Sequence, residues 1–168
     1  MPTPEKRFEY QRVIILIFMY LILIYSNIFQ VPFLFDDKQN ILERTDLQLT
    51  LITPDTVMDT FFTNKFGGEK FYRPISCLSF ALNYRIGGYR VSGYHMVNLL
   101  VHLIATLFLY KTILLLLSLG NIRLTDREKI FIASLSTVLW ASHPIQTQAV
   151  VYIVQRMASL AAMFYIIG

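Results

Sequence analysis

Two adjacent carboxylates, Asp36 and Asp37, directly follow an uncharged stretch of the chain, residues 13–35. About 20 apolar residues cross a bilayer at about 1.5 Å each, so the pair is expected where lipid meets water. Carboxylates beside hydrocarbon are costly to desolvate, and a positioned carboxylate can take the proton of a hydroxyl nucleophile. The pair is therefore a candidate for catalysis. The alternative is a turn that ends a helix and leaves both carboxylates solvated.

Polar side chains also recur within the second apolar stretch. His95, Asn98, His102 and Thr106 are spaced three, four and four residues apart, so they share one face of a helix. A polar stripe that enters a bilayer normally faces protein or a water-filled cavity. Two interpretations stay open: hydrogen bonds that hold helices together, or a site around His102, whose imidazole needs a partner at each nitrogen.

Three further candidates lie at the ends of segments. Arg73 precedes Pro74, His143 follows the third apolar stretch, and Arg156 follows a run of uncharged residues, 130–155. A guanidinium group can bind a phosphate through two parallel hydrogen bonds. The alternatives are an unspecific contact of Arg73 with a lipid headgroup and an anchoring role for Arg156 at the interface.

A divalent metal site is another interpretation of the same side chains. Asp36, Asp37, His95 and His143 are all suitable ligand types. No short ligand spacing supports such a site, so a divalent metal stays an alternative and the sequence predicts no cofactor.

The composition is that of a membrane protein. Hydrophobic residues make up 55% of the chain and charged residues 15%, against about 25% charged in ordinary soluble domains. The net charge of +4 is spread along the chain, which suggests contact with anionic membrane lipid and argues against nucleic-acid binding. The single cysteine, Cys77, cannot form an intramolecular disulfide and is expected to be buried and inert.

The apolar segments and the loop between the first two predict an all-α membrane protein with about four transmembrane helices and two interfacial helices. The first helix is read as uncleaved, because no small-residue cleavage site follows its apolar run. The fourth is incomplete, since 12 residues supply only about 18 Å of a core of about 30 Å. We therefore expect the chain to be the front part of a larger protein or the product of a truncated gene. The predicted segments are a cytoplasmic tail (1–12), a transmembrane helix (13–35), an outer loop (36–92), a transmembrane helix (93–119), a cytoplasmic loop (120–129), a transmembrane helix (130–142), an outer loop (143–156) and the start of a fourth transmembrane helix (157–168).

Basic residues set the orientation. Lysine and arginine concentrate in the N-terminal tail and in the short loop 120–129, so both are predicted to be cytoplasmic. The candidate side chains at the segment ends then meet on the outer side of the membrane: Asp36, Asp37, Arg73, His95, His143 and Arg156.

The first outer loop is expected to carry both interfacial helices. Thr53 caps the first of them, with Pro54 at its first position, and residues 66–68 end it. The second helix covers residues 75–84, after Arg73 and Pro74, and Gly87 and Gly88 close it.

Four motifs occur in order along the chain: FLFDDKQNI (33–41), FYRPISCLSFALNYRIGG (71–88), GYHMVNLLVHL (93–103) and WASHPIQTQAVVYIVQRMASLAAMFY (140–165). With these motifs the chain resembles the N-terminal membrane region of the tetratricopeptide-repeat-containing transmembrane glycosyltransferases, which include bacterial inner-membrane proteins and eukaryotic O-mannosyltransferases that act on cadherins. The sequence HPIQTQAVVYIVQR looks more like the bacterial branch, which implies a bacterial inner membrane.

The resemblance implies a GT-C-type fold and a polyprenyl-phosphate-linked sugar donor. It also implies an acceptor hydroxyl, on a protein or a glycan, at the outer face. Asp36 and Asp37 match the family's acidic pair, which is the candidate base or the group that orients the acceptor. The candidates for binding the donor phosphate or the substrate are Arg73, His95, His102, His143 and Arg156.

Two other classes of function remain open. One is a fragment of an ion or solute transporter with a path along His95, Asn98, His102 and the aspartates. The other is a non-catalytic membrane scaffold. Because the family's later helices and repeat domain lie outside these residues, we expect no sugar transfer by the chain alone.

Overall fold

The computed structural model describes residues 4–63, 70–120 and 123–168, with side chains described from residue 9 onward within those ranges. It is mainly helical, as the sequence predicted. The helices are α1 (Pro4–Ile24), α2 (Pro54–Asp59), α3 (Pro74–Gly87), α4 (Val91–Leu119), α5 (Asp126–Ala141), α6 (Gln146–Val151) and α7 (Arg156–Ile167), and the strands are β1 (Phe62–Thr63) and β2 (Lys70–Phe71).

The helix α4 is long and apolar enough to cross a membrane. It has 29 residues and a mean hydropathy of 2.1 over its most apolar part, and at about 1.5 Å per residue it exceeds a core of about 30 Å. It is the one such helix within the described ranges; the apolar helical stretch Ile153–Ile167 is shorter. The arrangement of four transmembrane helices stays a prediction.

The first helix ends earlier than the sequence suggested. The helix predicted over residues 13–35 is wrong in its C-terminal part, because α1 ends at Ile24 and a short 3-10 turn follows at Ile28–Gln30. Val31 is extended (φ −66°, ψ 126°), which is the conformation that a residue before a proline prefers. Pro32 also has no backbone N–H to donate to a continuing helix. The two aspartates therefore lie in a folded loop and not at the end of a helix.

The outer loop confirms one predicted helix start and shortens the helix. Thr53 caps α2: its hydroxyl accepts the Thr56 N–H at 3.2 Å, and its own N–H donates to the Thr56 hydroxyl at 2.9 Å. The helix ends at Asp59, so it does not continue to the predicted end at residues 66–68, which lie outside the described residues. An antiparallel pairing of β1 with β2 follows, which the sequence did not predict.

The second helix of this loop, α3, begins at Pro74 and ends at Gly87, slightly longer than predicted. Gly88 follows with φ +57°, a conformation that glycine adopts without steric cost, so the predicted closure at Gly87 and Gly88 is confirmed. The buried Arg44 ties the loop together: it pairs with Asp46 and donates to the Phe62 carbonyl at 3.0 Å.

The remaining segments depart from their predicted bounds by a few residues. α5 begins at Asp126 rather than 130, because Thr125 and Glu128 form a capping box there. The predicted outer loop 143–156 contains the short helix α6 and a 3-10 turn at Ile153–Gln155.

The core surrounds α4, which contacts α1, α3, α5, α6 and α7. One buried cluster joins the outer loop and α3 to Tyr94 and to residues that precede and begin α7. A second joins α1 to Leu99, Ala141 and Val150, and a third joins α4 to α7. Cys77 is fully buried in the first cluster, as predicted.

Candidate functional site

Asp37 fastens the loop after α1 to the chain just before α7. Its side chain is 1% exposed, and one carboxylate oxygen accepts the Leu34 N–H at 2.8 Å. The other oxygen accepts the Val154 N–H at 2.7 Å, across 117 residues of sequence. Because both oxygens hold backbone groups, this carboxylate stabilises the loop and fixes where its neighbour lies.

The surroundings of Asp37 shift its protonation equilibrium. Burial raises the pKa of the Asp37 carboxyl above its usual value. The N–H groups of Leu34 and Val154 and the charge of nearby His95 oppose this rise, whereas the charge of Asp36 adds to it. The effect of burial on the pKa of Asp37 is thus larger than the opposing effect of its hydrogen bonds.

Asp36 presents the second carboxylate to solvent. Its side chain is exposed, and its backbone N–H donates to the Tyr152 hydroxyl at 3.2 Å. Phe35, directly before it, has φ +45°, a conformation that is strained for a bulky residue. The Phe35 ring meets the Tyr152 ring edge to face at 6.0 Å. Asp36 is therefore the carboxylate that an incoming substrate could reach.

His95 lies beside this loop. The imidazole is fully buried, and its Nε2 is 2.8 Å from the Val31 carbonyl oxygen, so Nε2 carries the proton in that contact. Its Nδ1 is buried without a partner among the described residues. The structure thus places His95 beside the loop that carries Asp36 and Asp37.

Arg73 contacts the same part of the fold as the acidic loop. It precedes α3 with φ +43°, its side chain is exposed, and its Nη1 lies 3.2 Å from the Met157 sulfur. Val154, which holds Asp37, and Met157, which holds Arg73, are three residues apart, about one helical turn. The acidic loop and the guanidinium therefore dock on the same short segment.

Arg73 borders a groove between α3 and α7 of about 320 Å³, which we call the Arg73 groove. It begins at the guanidinium and continues along apolar side chains of both helices. Its lining includes Arg73, Ile75, Met157, Ala158, Leu160 and Phe164. The groove thus combines a cation at one end with hydrocarbon walls.

Arg156 is a buried junction between three helices. It is fully buried; its Nε donates to Asn98 Oδ1 at 2.7 Å and its Nη1 to Asn83 Oδ1 at 2.7 Å. Nη2 donates to the Tyr94 carbonyl at 2.8 Å, and the guanidinium lies over the Phe80 ring at 4.5 Å. The structure therefore places Arg156 among structural partners in α3 and α4, apart from any exposed surface where a phosphate could bind.

The two remaining histidines lie elsewhere. His102 is buried: its Nε2 is 2.9 Å from the Ala141 carbonyl oxygen, and its ring stacks on Trp140 at 5.5 Å. His143 is exposed, and its Nδ1 accepts the Ile145 N–H at 3.3 Å. Neither has a described contact with the acidic loop.

The described residues do not favour a metal centre. No three His, Cys, Asp or Glu side chains gather within them in an arrangement that could hold a metal ion. The interpretation of Asp36, Asp37, His95 and His143 as metal ligands is therefore wrong for this structure: His143 points to solvent, and both oxygens of Asp37 are engaged by backbone N–H groups.

The polar stripe on α4 packs against protein. His95, Asn98, His102 and Thr106 are all buried. Asn98 Nδ2 donates to carbonyls of residues 150, 152 and 153 at 3.3–3.4 Å, and the Thr106 hydroxyl donates to the His102 carbonyl at 2.7 Å. The packing interpretation is thus correct for Asn98 and Thr106, and no continuous polar path follows from them.

Sequence reasoning missed several partners. Tyr152 stands beside Asp36, and Asn83 and Ser79 of α3 hold Arg156. Tyr152 lies in the motif 140–165. Its phenolic hydroxyl, within the uncharged run 130–155, was a signal that could have marked it as a site residue. The asparagine and serine carried none, because their role depends on a residue more than 70 positions away.

Comparison with known proteins finds the protein O-mannosyl-transferases of the TMTC series. The chain is 33% identical to human protein O-mannosyl-transferase TMTC3 over 150 residues, which are 84% of this chain and 15% of that protein. It is 35% identical to human TMTC2 over 153 residues (86% and 16%) and 29% identical to mouse TMTC4 over 156 residues (88% and 21%). The chain is homologous to these proteins over most of its own length and spans about a fifth or less of theirs.

No family model matches the chain, and no solved structure matches it. The relatives named above are animal proteins, so the closer likeness to a bacterial branch stays a prediction.

Proposed function

Since the chain is homologous to protein O-mannosyl-transferases, we propose that it forms part of an integral-membrane glycosyltransferase. In this proposal a sugar, which the names of the relatives suggest is mannose, moves from a polyprenyl-phosphate-linked donor to a hydroxyl group on a protein. The observation that supports it is the difference between the two carboxylates of the acidic pair. Asp37 is buried and accepts two backbone N–H groups, so the exposed Asp36 next to it is held at a defined place.

Asp36 acts as the general base. The acceptor hydroxyl gives its proton to the Asp36 carboxylate while its oxygen attacks the anomeric carbon of the sugar. The bond between that carbon and the phosphate oxygen breaks, and its electron pair leaves with the lipid phosphate. One displacement without a covalent intermediate inverts the anomeric configuration.

Arg73 stabilises the leaving phosphate. Charge grows on the phosphate oxygens as the glycosidic bond breaks, and a guanidinium placed there lowers the barrier. The Arg73 groove supports this assignment, because its apolar walls suit a prenyl chain while its cation suits the phosphate. Asp37, the neighbour of Asp36, and Arg73 both contact the segment 154–157.

The proposed setting is the outer face of a membrane, with a GT-C-type fold, four transmembrane helices and a cytoplasmic N-terminus. The amphiphilic donor supports this setting, since its tail stays in lipid while its head reaches a site at the helix ends. His95 belongs to the site as a neighbour of Asp37. Arg156 contributes by holding α3 against α4, and His102 and His143 are assigned no contact with the phosphate.

The test is the exchange of Asp36 for Asn in protein expressed from its complete gene. Transfer from polyprenyl-phosphate-linked mannose to an acceptor peptide should fall by about 10²–10⁴-fold, the usual contribution of a general base, with normal expression. Asp59→Asn, an exposed carboxylate on α2, is the matched control and should keep its activity. Unchanged transfer by Asp36→Asn would remove Asp36 as the base and favour a non-catalytic scaffold.

A further inference from the structure

A second cavity lies on the other side of α7 from α3. It has a volume of about 340 Å³, within the range of about 300–1,000 Å³ that is usual for small-molecule sites. α4, the end of α5, α6 and the start of α7 line it, and Gln155 of this lining directly follows Val154, the partner of Asp37. We call it the glutamine cavity, after Gln146, Gln148 and Gln155 in its lining.

The chemistry of this lining is polar and uncharged. No Asp, Glu, Lys or Arg is among the described residues that line it. Each glutamine amide offers two donors and one acceptor oxygen, which is the combination that a hydroxyl group needs. The Ser159 hydroxyl adds a further polar group at the wall and donates to the Gln155 carbonyl at 3.0 Å.

An indole completes the lining. Trp140 stacks on His102 with an interplanar angle of 21°, and His102 is in turn held by the Ala141 carbonyl. The indole therefore has a fixed orientation at the cavity wall. Aromatic rings combine an apolar face with low conformational freedom, which suits the CH-rich face of a sugar ring.

The cavity and the Arg73 groove meet at one residue. Ala158 lines both, is exposed, and begins a small-residue face of α7 that continues to Ala161 and Ala162. Because residue 158 is an alanine, its side chain is too small to separate the cationic, apolar groove from the neutral, amide-lined cavity. A ligand with a lipid phosphate at one end and a neutral polar group at the other could lie across α7 at this point.

We propose that the glutamine cavity binds the pyranose ring of the lipid-linked donor, while the Arg73 groove takes the phosphate and the first part of the prenyl chain. This assignment rests on the proposed transferase function, which it deepens by naming where the sugar lies. The amides recognise the ring hydroxyls, Trp140 covers an apolar face, and the absence of charge from the described lining favours a neutral sugar over a charged one.

Trp140 supplies the measurement, because its indole lines the cavity, and Trp140→Phe should abolish the emission change. Methyl α-D-mannopyranoside titrated into the purified protein in detergent should change the tryptophan emission in a saturable way. Gln148→Ala and Gln155→Ala should each raise the dissociation constant about tenfold, the scale of one lost hydrogen bond. Gln11→Ala, an exposed glutamine of α1, is the control and should bind as the parent does. Circular dichroism checks that each variant is folded.

A second arm separates the donor sugar from a sugar on the acceptor. Ala161→Phe, at a position that lines the Arg73 groove but not the glutamine cavity, should weaken binding of polyprenyl-phosphate-linked mannose at least tenfold and leave binding of the free methyl mannoside unchanged. If the lipid-linked donor binds Ala161→Phe as tightly as the parent, the groove does not take the lipid phosphate and the cavity does not hold the donor sugar. No saturable emission change, or equal affinity in the glutamine variants, overturns the saccharide site itself. These binding results are independent of Asp36→Asn, whose unchanged transfer would overturn the proposed function alone.

Discussion

Asp36 and Asp37 are neighbours in the chain, yet their carboxylates meet opposite surroundings. Asp37 turns inward because two backbone N–H groups, of Leu34 and Val154, would otherwise be left without acceptors at that junction. Once Asp37 is fixed, the strained backbone at Phe35 directs Asp36 outward. A base needs a free lone pair and a defined position. In this pair one residue supplies the position and the other the lone pair.

The raised pKa of Asp37 gives a pH dependence with a definite sign. When a carboxyl has a higher pKa in the folded state, the unfolded chain loses its proton first as pH rises, so stability falls. The difference in Tm between the parent and Asp37→Asn should therefore grow as pH is lowered from 7 toward the unfolded pKa of about 3.9. Thermal unfolding of both proteins across this range measures it. A difference that is constant or shrinks in acid would contradict the raised pKa.

The Arg156 junction makes arginine and lysine unequal at this position. A guanidinium reaches Asn98, Asn83 and the Tyr94 carbonyl from three nitrogens at once, whereas one ammonium cannot span all three. Arg156→Lys should destabilise the protein by about 3 kcal/mol, since buried acceptors lose their donors. Thermal unfolding in detergent measures the loss. Arg85→Lys, at an exposed position in α3, is the control, and an equal Tm for both variants would refute the junction.

At the scale of elements, local signals in the sequence were sufficient for caps and faces. Thr53 and Pro54 predicted the start of α2, and Gly87 and Gly88 the end of α3, because capping depends on residues within one turn. Spacing alone put His95, Asn98 and His102 on one face of α4.

Features that depend on distant partners could not be predicted in this way. The hydrogen bond between Asp37 and Val154 joins residues 117 positions apart. The hydrogen bonds of the Arg156 junction join residues 58 to 77 positions apart. Pro32 indicated that no helix continues to residue 35, but the uncharged length of residues 13–35 outweighed this signal in the prediction. Length and hydropathy thus predicted which segments are apolar but not where each helix ends.

The capping box of α5 is an element with a measurable contribution. Thr125 accepts the Glu128 N–H at 3.4 Å, and Glu128 accepts the Thr125 N–H at 2.7 Å. Thr125→Ala should cost about 1 kcal/mol at pH 7, seen as a lower Tm, whereas the exposed Thr50→Ala should not.

The Thr125 N–H and then the Thr125 hydroxyl lower the pKa of Glu128, so the stability that this carboxylate contributes is present at neutral pH. That contribution is lost as pH falls through the lowered pKa. The effect of Thr125→Ala should therefore shrink in acid, and an effect that is independent of pH would speak against a charged partner in the cap.

At the scale of the whole molecule, α4 separates two sets of loops. Residues 36–63 and 70–90 and the segment before α7 gather at its N-terminal end, where Asp37 meets Val154. The start of α5 lies beyond its C-terminal end, after Gly120. Because α4 is long enough to cross the membrane, the two sets should lie on opposite sides, with the acidic loop outside.

Cysteine labelling tests this arrangement directly, because Cys77 is the one native cysteine and is fully buried, which keeps the background low. Asp59→Cys, on the exposed side of α2, should react with a membrane-impermeant maleimide in intact cells. Arg127→Cys, exposed in the first turn of α5, should react only after the membrane is permeabilised. The unmodified protein is the control and should stay unlabelled. Equal labelling of both variants in intact cells would mean that α4 does not span the membrane, and labelling of Arg127→Cys alone would reverse the orientation and move the proposed site to the cytoplasmic face.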